Sequence, residues 1–359
     1  MRKIVINGKN FIKKNKRGTQ RYTCEIIKSL DKYVKNIDIE LVVPNVTCEL
    51  PNFKNIKIVK YGGEITLKGW QYTSFQWYCL KNNGIAVSLS ADGAPIIKPG
   101  IVAIHDIRYA REKKEKKSLK AKIKNRYNLL INLLIIKNAN KIITVSDFSR
   151  KEIINYYNYN KDIEIIYNGW EHLKNIKINE DNILKKYKNI VKKDFFFALG
   201  GMEKNKNLKW IIKVAKRYPE KLFVLAGPPI DKTNVIDENI TVENISNIIH
   251  LGYISDEEIG YFMKNCKAFI FPSLYEGFGI PPLEALYFGA KVICSNSTCL
   301  PEIYKDCVIY INPYDYEINL DKLINTKVED SKCLFEIYSW ENSAKSLLKL
   351  IYNLSNKDM

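Results

Sequence analysis

The stretch Ala268-Phe-Ile-Phe-Pro-Ser-Leu-Tyr-Glu276-Gly-Phe-Gly-Ile-Pro-Pro-Leu-Glu284-Ala-Leu286 opens on an apolar run, breaks at Pro272, passes two glycines and enters a helix-forming segment through two prolines. It reads as a buried strand, a loop and a helix in immediate succession. Gly277 and Gly279 let the backbone approach a ligand closely. Pro281 and Pro282 suit a first helical turn, where their missing N–H groups cost nothing. Glu276 then projects from a strand-end loop and Glu284 lies near the start of a helix predicted around 282–288. Two carboxylates eight residues apart can serve acid/base chemistry or hold hydroxyl groups. The preference for acids at a helix N-terminus accounts for Glu284 equally well.

The same rhythm extends in both directions. Strands are predicted at Phe195–Gly200, Leu222–Ala226, Ile248–Gly252, Lys291–Cys294 and Cys307–Ile311. Helices fall near 207–217, 256–265 and 315–324, and an amphipathic helix lies near 340–354. The first half repeats the pattern with strands at Lys3–Asn7, Ile39–Val43, Ile56–Lys60, Val87–Ser90, Ile101–His105, Lys141–Val145 and Ile163–Tyr167, and helices near 18–35, 69–82, 115–138 and 147–158. Apolar runs alternating with helical stretches predict parallel strands joined by crossover helices, hence two doubly wound α/β units in tandem. The polar, Asn-rich segment 171–192 marks the boundary between them. Ligands of open parallel sheets sit at the carboxyl ends of the strands, so the natural site is the cleft between two such units.

Charge is distributed unevenly along the 359 residues. Residues 1–180 hold 34 Lys/Arg against 16 Asp/Glu, whereas residues 181–359 hold 23 of each, so the whole surplus of +18 belongs to the first half. Such a surplus points to an anionic partner. With no helix-turn-helix, zinc-finger or aromatic-interleaved basic strand, nucleic acid is not that partner. Eight cysteines without a Cys-x-x-Cys pair, and no signal peptide, read as reduced thiols in a cytoplasmic protein. The longest apolar stretch, Leu129–Ile136, is too short to span a bilayer. Ten Lys/Arg between Arg108 and Arg126 run directly into it, a pattern suited to an anionic membrane surface. Three isolated histidines and the absence of Asp-x-Asp leave no motif for a metal.

Three further segments carry candidate chemistry. In Phe195-Phe-Phe-Ala-Leu-Gly-Gly-Met-Glu-Lys204-Asn-Lys206-Asn207 an apolar strand breaks into a basic loop, and Lys206 can neutralise a phosphate there. It is not a Walker sequence. Ile101-Val-Ala-Ile-His105-Asp106 delivers His105 to a strand end, and Lys16-Arg17-Gly18-Thr19-Gln20-Arg21-Tyr22 places Gly18 at the opening of a helix.

Together, in order and spacing, these residues resemble the retaining nucleotide-sugar glycosyltransferases of family 4, which have the GT-B fold. Glu276, Gly277, Phe278, Gly279, Pro281 and Glu284 match the family's Glu-x7-Glu motif. Ile6-Asn-Gly-Lys, Gly18-Thr-Gln-Arg-Tyr22, His105-Asp106, Val145-Ser-Asp-Phe-Ser149 and Asn168-Gly169 look like the bacterial surface-polysaccharide (O-antigen and capsule) subgroup. The resemblance implies two Rossmann-like domains facing across a cleft: an acceptor-binding domain over 1–172, a linker over 173–192, a nucleotide-sugar-binding domain over 193–338, and a C-terminal helix over 339–359 that can cross back to the first domain.

It also implies roles. Glu276 contacts the donor sugar and stabilises developing oxocarbenium charge. Glu284 binds the ribose hydroxyls, and Gly277, Phe278 and Gly279 hold the sugar through their backbone. Lys206 compensates the diphosphate leaving group, His105 contacts the sugar, and the backbone of Gly18 lies near the phosphates. Many relatives carry an arginine where this chain has Gly201 or Asn205, which leaves Lys204 as a substitute cation beside Lys206. The implied enzyme is a retaining, metal-independent hexosyltransferase without a cofactor. It would move a hexose or deoxyhexose from a UDP-, GDP- or dTDP-sugar to a polyprenyl-diphosphate-linked saccharide at the inner face of the cytoplasmic membrane. A sugar-nucleotide epimerase or phosphorylase of the same fold is the alternative, and product analysis separates them.

Overall fold

Two parallel sheets organise the chain, and each grows from the apolar runs read above. The computed structural model describes residues 2–12, 18–63, 69–108, 119–200, 203–228 and 245–356. One unit comprises residues 1–169 with 338–359, and the other residues 170–337.

In the first unit seven strands are described: β1 (Ile4–Asn7), β2 (Ile39–Val43), β3 (Lys57–Lys60), β4 (Ile85–Ser88), β5 (Ile101–Ala103), β6 (Lys141–Thr144) and β7 (Ile163–Ile165). They lie in the order β3-β2-β1-β4-β5-β6-β7, and every pairing is parallel. β1, β2 and β4 are buried at every residue. Strands covered on both faces cannot alternate, so they read as continuous apolar runs. The crossover helices described are α1 (Thr19–Leu30), α2 (Ser74–Lys81), α3 (Leu119–Asn138) and α4 (Asp147–Tyr157). The C-terminal helix Trp340–Asn356 belongs to this unit and packs along α1. Trp340 meets the buried Tyr22 edge-on at 6.1 Å, and the Ser343 hydroxyl donates to the Tyr167 carbonyl at 2.7 Å. Gly169 permits this closure, because a Cβ there would lie 2.2 Å from the Trp340 nitrogen.

The second unit holds β8 (Phe195–Leu199), β9 (Leu222–Ala226), β10 (Ile248–His250), β11 (Ala268–Phe271), β12 (Val292–Ser295) and β13 (Ile309–Ile311) in the order β10-β9-β8-β11-β12-β13. Its described helices are α5 (Glu180–Lys186), α6 (Leu208–Arg217), α7 (Asp256–Asn265), α8 (Ile280–Tyr287), α9 (Leu300–Tyr304), α10 (Leu320–Ile324) and α11 (Lys332–Ile337). Trp210 of α6 fills the core beneath Phe196, Phe223 and Ile270, with its indole N–H donating to the Asp315 carbonyl at 2.7 Å.

Residues 173–192, read from the sequence as a linker, fold with this unit. Ile183 is buried, Tyr187 packs edge-on against Phe262 of α7 at 5.2 Å, and Lys186 and Tyr187 both donate to Glu258. The boundary falls at 169/170 because a sparse set of apolar side chains, hidden among asparagines and lysines, is enough to dock α5. Helix α8 starts at Ile280, ahead of the proline pair.

In both sheets the strand order reverses once, between β1 and β4 and between β8 and β11. Loops leaving the carboxyl ends of neighbouring strands diverge at such a point and leave a crevice for a ligand.

The first sheet also contains a buried charge. Glu40 of β2 is 3% exposed at its side chain and accepts from Lys3 at 3.0 Å and from the Tyr78 hydroxyl at 2.6 Å. Burial raises its pKa, but the bonds from Tyr78 and Lys3 outweigh burial and hold the carboxyl below its ordinary 4.5. A depressed folded-state pKa contributes stability that is present above pH 4.5 and lost as pH falls through the folded value. Glu40→Gln should therefore destabilise the protein by about 1–3 kcal/mol at pH 7 and shrink the loss between pH 7 and pH 3.5. Denaturant titrations at both pH values check this; identical acid losses in wild type and variant would contradict it.

Candidate active site

Glu276 stands on the loop that leaves β11, at the reversal point of the second sheet. The backbone there is fastened by the turn that follows β12. The Glu276 N–H donates to the Thr298 hydroxyl at 3.2 Å, the Cys299 thiol donates to the Glu276 carbonyl at 3.3 Å, and the Tyr304 hydroxyl donates to the Gly279 carbonyl. Gly279 is the N-cap of α8 with φ +82°, and a Cβ there would press on Leu300 at 2.7 Å. Glycine is required on both counts. Gly277 and Phe278, between these anchors, are buried.

The loop after β8 reaches the same point from the neighbouring strand. Lys204–Lys206 form a single 3-10 turn, ended by Asn207 in the left-handed conformation. The Asn207 amide donates to the carbonyls of Pro272 (3.1 Å) and Pro313 (2.9 Å). The Asn205 side chain donates to the Tyr275 carbonyl at 3.2 Å, and the Asn205 backbone carbonyl accepts from the Leu274 N–H at 2.7 Å. Asn205 thus stitches the two loops together and supplies no charge. Gly201 lies outside the described residues. Lys204 is exposed at the start of the turn, whereas Lys206 is mostly covered.

Lys206 Nζ lies 2.8 Å from Glu276 Oε1 and 5.2 Å above the Phe271 ring. With side chains 23% and 14% exposed, the pair is largely shielded from water, where charge interactions are stronger than at the surface. Beside Lys206 a narrow hollow is lined by Gly200, His250, Phe271 and Pro272. His250 Nε2 is buried there without a hydrogen-bond partner among the described residues, and burial lowers the pKa of this histidine. Burial likewise raises the thiol pKa values of Cys294 and Cys299 well above the ordinary range, with the nearby Glu276 charge adding to it, so both stay protonated.

Glu284, buried on α8, is paired with a residue that the motif spacing does not pick out: His172 Nε2 lies 3.0 Å from Glu284 Oε1. Glu276, Gly277, Phe278, Gly279, Lys204, Lys206 and Glu284 all belong to the second unit, and Gly18 and His105 to the first.

Within the first unit, Tyr22 joins those two. Its N–H donates to the Gly18 carbonyl at 2.9 Å, and its ring meets the His105 imidazole edge-on at 4.6 Å. Gly18 is the N-cap of α1; Lys16 and Arg17 lie outside the described residues. His105 Nε2 is 3.0 Å from the Leu89 carbonyl, and burial lowers its pKa. A carbonyl only accepts, so the proton of the neutral ring sits on Nε2 and Nδ1 is an acceptor.

Sequence alone missed Asn205, Asn207, Thr298, Tyr304, His172 and His250 as parts of the site. The first four act through side-chain bonds to distant backbone, which leave no local pattern. Among the described residues, no three His, Cys, Asp or Glu side chains gather as a metal site. No described helix is long and apolar enough to cross a membrane.

Known proteins resemble this chain in sequence and in fold. Residues 179–353 match the family model of glycosyl transferases group 1. The chain is 30% identical over 227 residues to O-antigen chain mannosyltransferase B of Escherichia coli, covering 58% of this chain and 59% of that protein. It is 26% identical over 226 residues to O-antigen chain mannosyltransferase RfbU of Salmonella typhimurium, covering 62% and 59%. The chain thus matches 59% of the length of each of these relatives. In three dimensions it superposes on sucrose-phosphate synthase from Thermosynechococcus elongatus with a TM-score of 0.77 at 14% identity, over 99% of both chains, a likeness of fold. Residues 179–353 therefore match the glycosyl transferases group 1 model, within a chain of GT-B fold whose relatives include O-antigen mannosyltransferases.

Proposed function

We propose that the chain is a retaining, metal-independent glycosyltransferase that moves a hexose or deoxyhexose from a nucleotide sugar to a polyprenyl-diphosphate-linked saccharide in surface-polysaccharide synthesis. The observation that carries this reading is the Lys206–Glu276 pair at the reversal point of the second sheet. Lys206 is the cation for the diphosphate, and Glu276 is the acceptor for a sugar hydroxyl and the counter-charge for a developing oxocarbenium ion. Before the donor binds, the two groups neutralise each other. The donor replaces that single contact with two, phosphate on the lysine and sugar on the glutamate.

In the transfer the bond from the anomeric carbon to the phosphate oxygen breaks, and a bond from the acceptor oxygen forms on the same face. The acceptor proton goes to the departing phosphate oxygen, so no second carboxylate is needed as nucleophile. Glu284 would take the ribose hydroxyls. In the first unit, His105 offers Nδ1 as an acceptor to a substrate hydroxyl. The names of the relatives make mannose the first sugar to test, as its GDP-, UDP- and dTDP-linked forms.

The reading includes a place at the inner face of the cytoplasmic membrane. Its support is α3, where Ile123, Tyr127, Leu130 and Leu134 follow one another at steps of four, three and four residues and are 45–61% exposed. That spacing puts them on one face of the helix, opposite the buried Ile135 and Ile136. An exposed apolar stripe in the basic half of the chain suits an anionic lipid surface. Of the basic segment 108–126, residues 109–118 lie outside those described.

Lys206→Ala should lower product formation by roughly 100-fold or more, read as transfer of labelled sugar to a lipid-linked acceptor; a change under threefold would remove Lys206 from the chemistry. Activity in excess chelator should match that in magnesium, and complete loss would refute metal independence. In flotation assays the wild type should rise with anionic vesicles and not with zwitterionic ones, and the double variant Ile123→Asp/Leu130→Asp should stay behind. Equal flotation of wild type with both lipids would count against the membrane assignment.

A further inference from the structure

The second unit begins with a short 3-10 turn, Glu171–Asn175, that grips α8 at two successive places. The Trp170 ring lies tilted on Tyr287 with centroids 4.8 Å apart, and two residues later His172 Nε2 sits 3.0 Å from Glu284 Oε1. Glu284 and Tyr287 are three residues apart and so share one side of the helix. The grip is itself anchored: the Trp170 indole N–H donates to the Phe335 carbonyl at 3.0 Å, and Lys174 Nζ lies 4.8 Å over the same ring. The His172 and Glu284 side chains are 8% and 10% exposed. The arrangement joins residues 112 positions apart in sequence.

A carboxylate oxygen only accepts, so His172 donates from Nε2 and selects one orientation of a side chain that has three rotatable bonds. We propose that His172 is a positioning residue, holding the Glu284 carboxylate in the orientation that receives the vicinal hydroxyls of a ribose. The inference rests on the assignment of Glu284 to the nucleotide. It predicts that the enzyme's preference for ribose over deoxyribose depends on a histidine that need not touch the nucleotide. A diol that donates two hydrogen bonds to one carboxylate is sensitive to the plane of that carboxylate, whereas the base and the phosphates are not. Loss of His172 should therefore act on sugar discrimination more than on overall affinity.

The test is the ratio of dissociation constants for 2′-deoxy and ribo nucleotides, measured by calorimetry with GDP, UDP and ADP and their 2′-deoxy counterparts. It uses wild type, Glu284→Ala, His172→Phe, His172→Gln and His172→Asn, with thermal unfolding as a check on folding. Wild type should favour the ribonucleotide roughly tenfold or more. Glu284→Ala and His172→Phe should bring that ratio to within about threefold of one. His172→Gln should retain it, because the glutamine amide nitrogen can occupy the place of Nε2. His172→Asn, whose shorter amide mimics Nδ1 instead, should lose it while staying folded, which keeps the test valid if the phenylalanine variant fails to fold.

A wild-type ratio in both His172→Phe and His172→Asn, with the ratio lost in Glu284→Ala, would overturn the positioning role alone. A wild-type ratio in Glu284→Ala, or no ribose preference in the wild type, would overturn the assignment of Glu284 beneath it. Failure of the wild type to bind any of the nucleotides would overturn both.

Discussion

Lys206 and Glu276 meet because β8 and β11 are neighbours at the point where the strand order of the second sheet reverses. The two residues are 70 positions apart in sequence, and no local preference brings them together. What does is the pairing of two apolar strands, Phe195–Leu199 and Ala268–Phe271, whose carboxyl ends lie side by side while their loops turn to opposite faces. The remaining features of the site follow from that adjacency. The two loops, residues 200–207 and 272–279, are close enough for asparagine side chains of one to bind backbone of the other.

Those side-chain bonds decide how firmly the pair is held. Asn205 and Asn207 fasten the β8 loop to Tyr275 and Pro272, and Thr298, Cys299 and Tyr304 fasten the β11 loop from its other flank. Each such bond contributes about 0.5–1.5 kcal/mol net, too little to matter singly for a fold with this much buried apolar surface. Their value lies in geometry. A lysine and a glutamate that are already in place, largely out of water, do not have to be ordered when a charged ligand arrives, and preorganised charge is the larger part of what such a site offers to a developing charge.

The first unit is built on the same plan with a different surface. Its sheet is more polar than the second, with Glu40, Lys57, Lys60, Lys141 and Glu164 in its strands, and its half of the sequence carries the entire charge surplus. A surplus that contributes nothing to a core belongs to a surface, and the exposed apolar stripe of α3 lies in the same half. Phosphate-bearing and lipid-bearing partners are the chemistry that such a combination suits.

Fold and site differ in how far they can be read from sequence, for physical reasons. Buried parallel strands announce themselves as uninterrupted apolar runs, so the strand segments appeared where β-branched and aromatic residues cluster. Helix α5 did not, because its docking depends on Ile183 and Tyr187 among polar neighbours, and the domain boundary shifted with it. Glu276, Lys206 and Glu284 stood out because glycines and prolines punctuate their loops. His172 did not, because nothing near it in sequence marks a partner 112 residues away. A crystal structure with the nucleoside diphosphate bound tests whether Lys206 and Glu276 receive the donor's diphosphate and sugar. A phosphate oxygen should lie within hydrogen-bond distance of Lys206 Nζ, with the Lys206–Glu276 contact opened. A nucleotide seated elsewhere, with that contact intact, would contradict it.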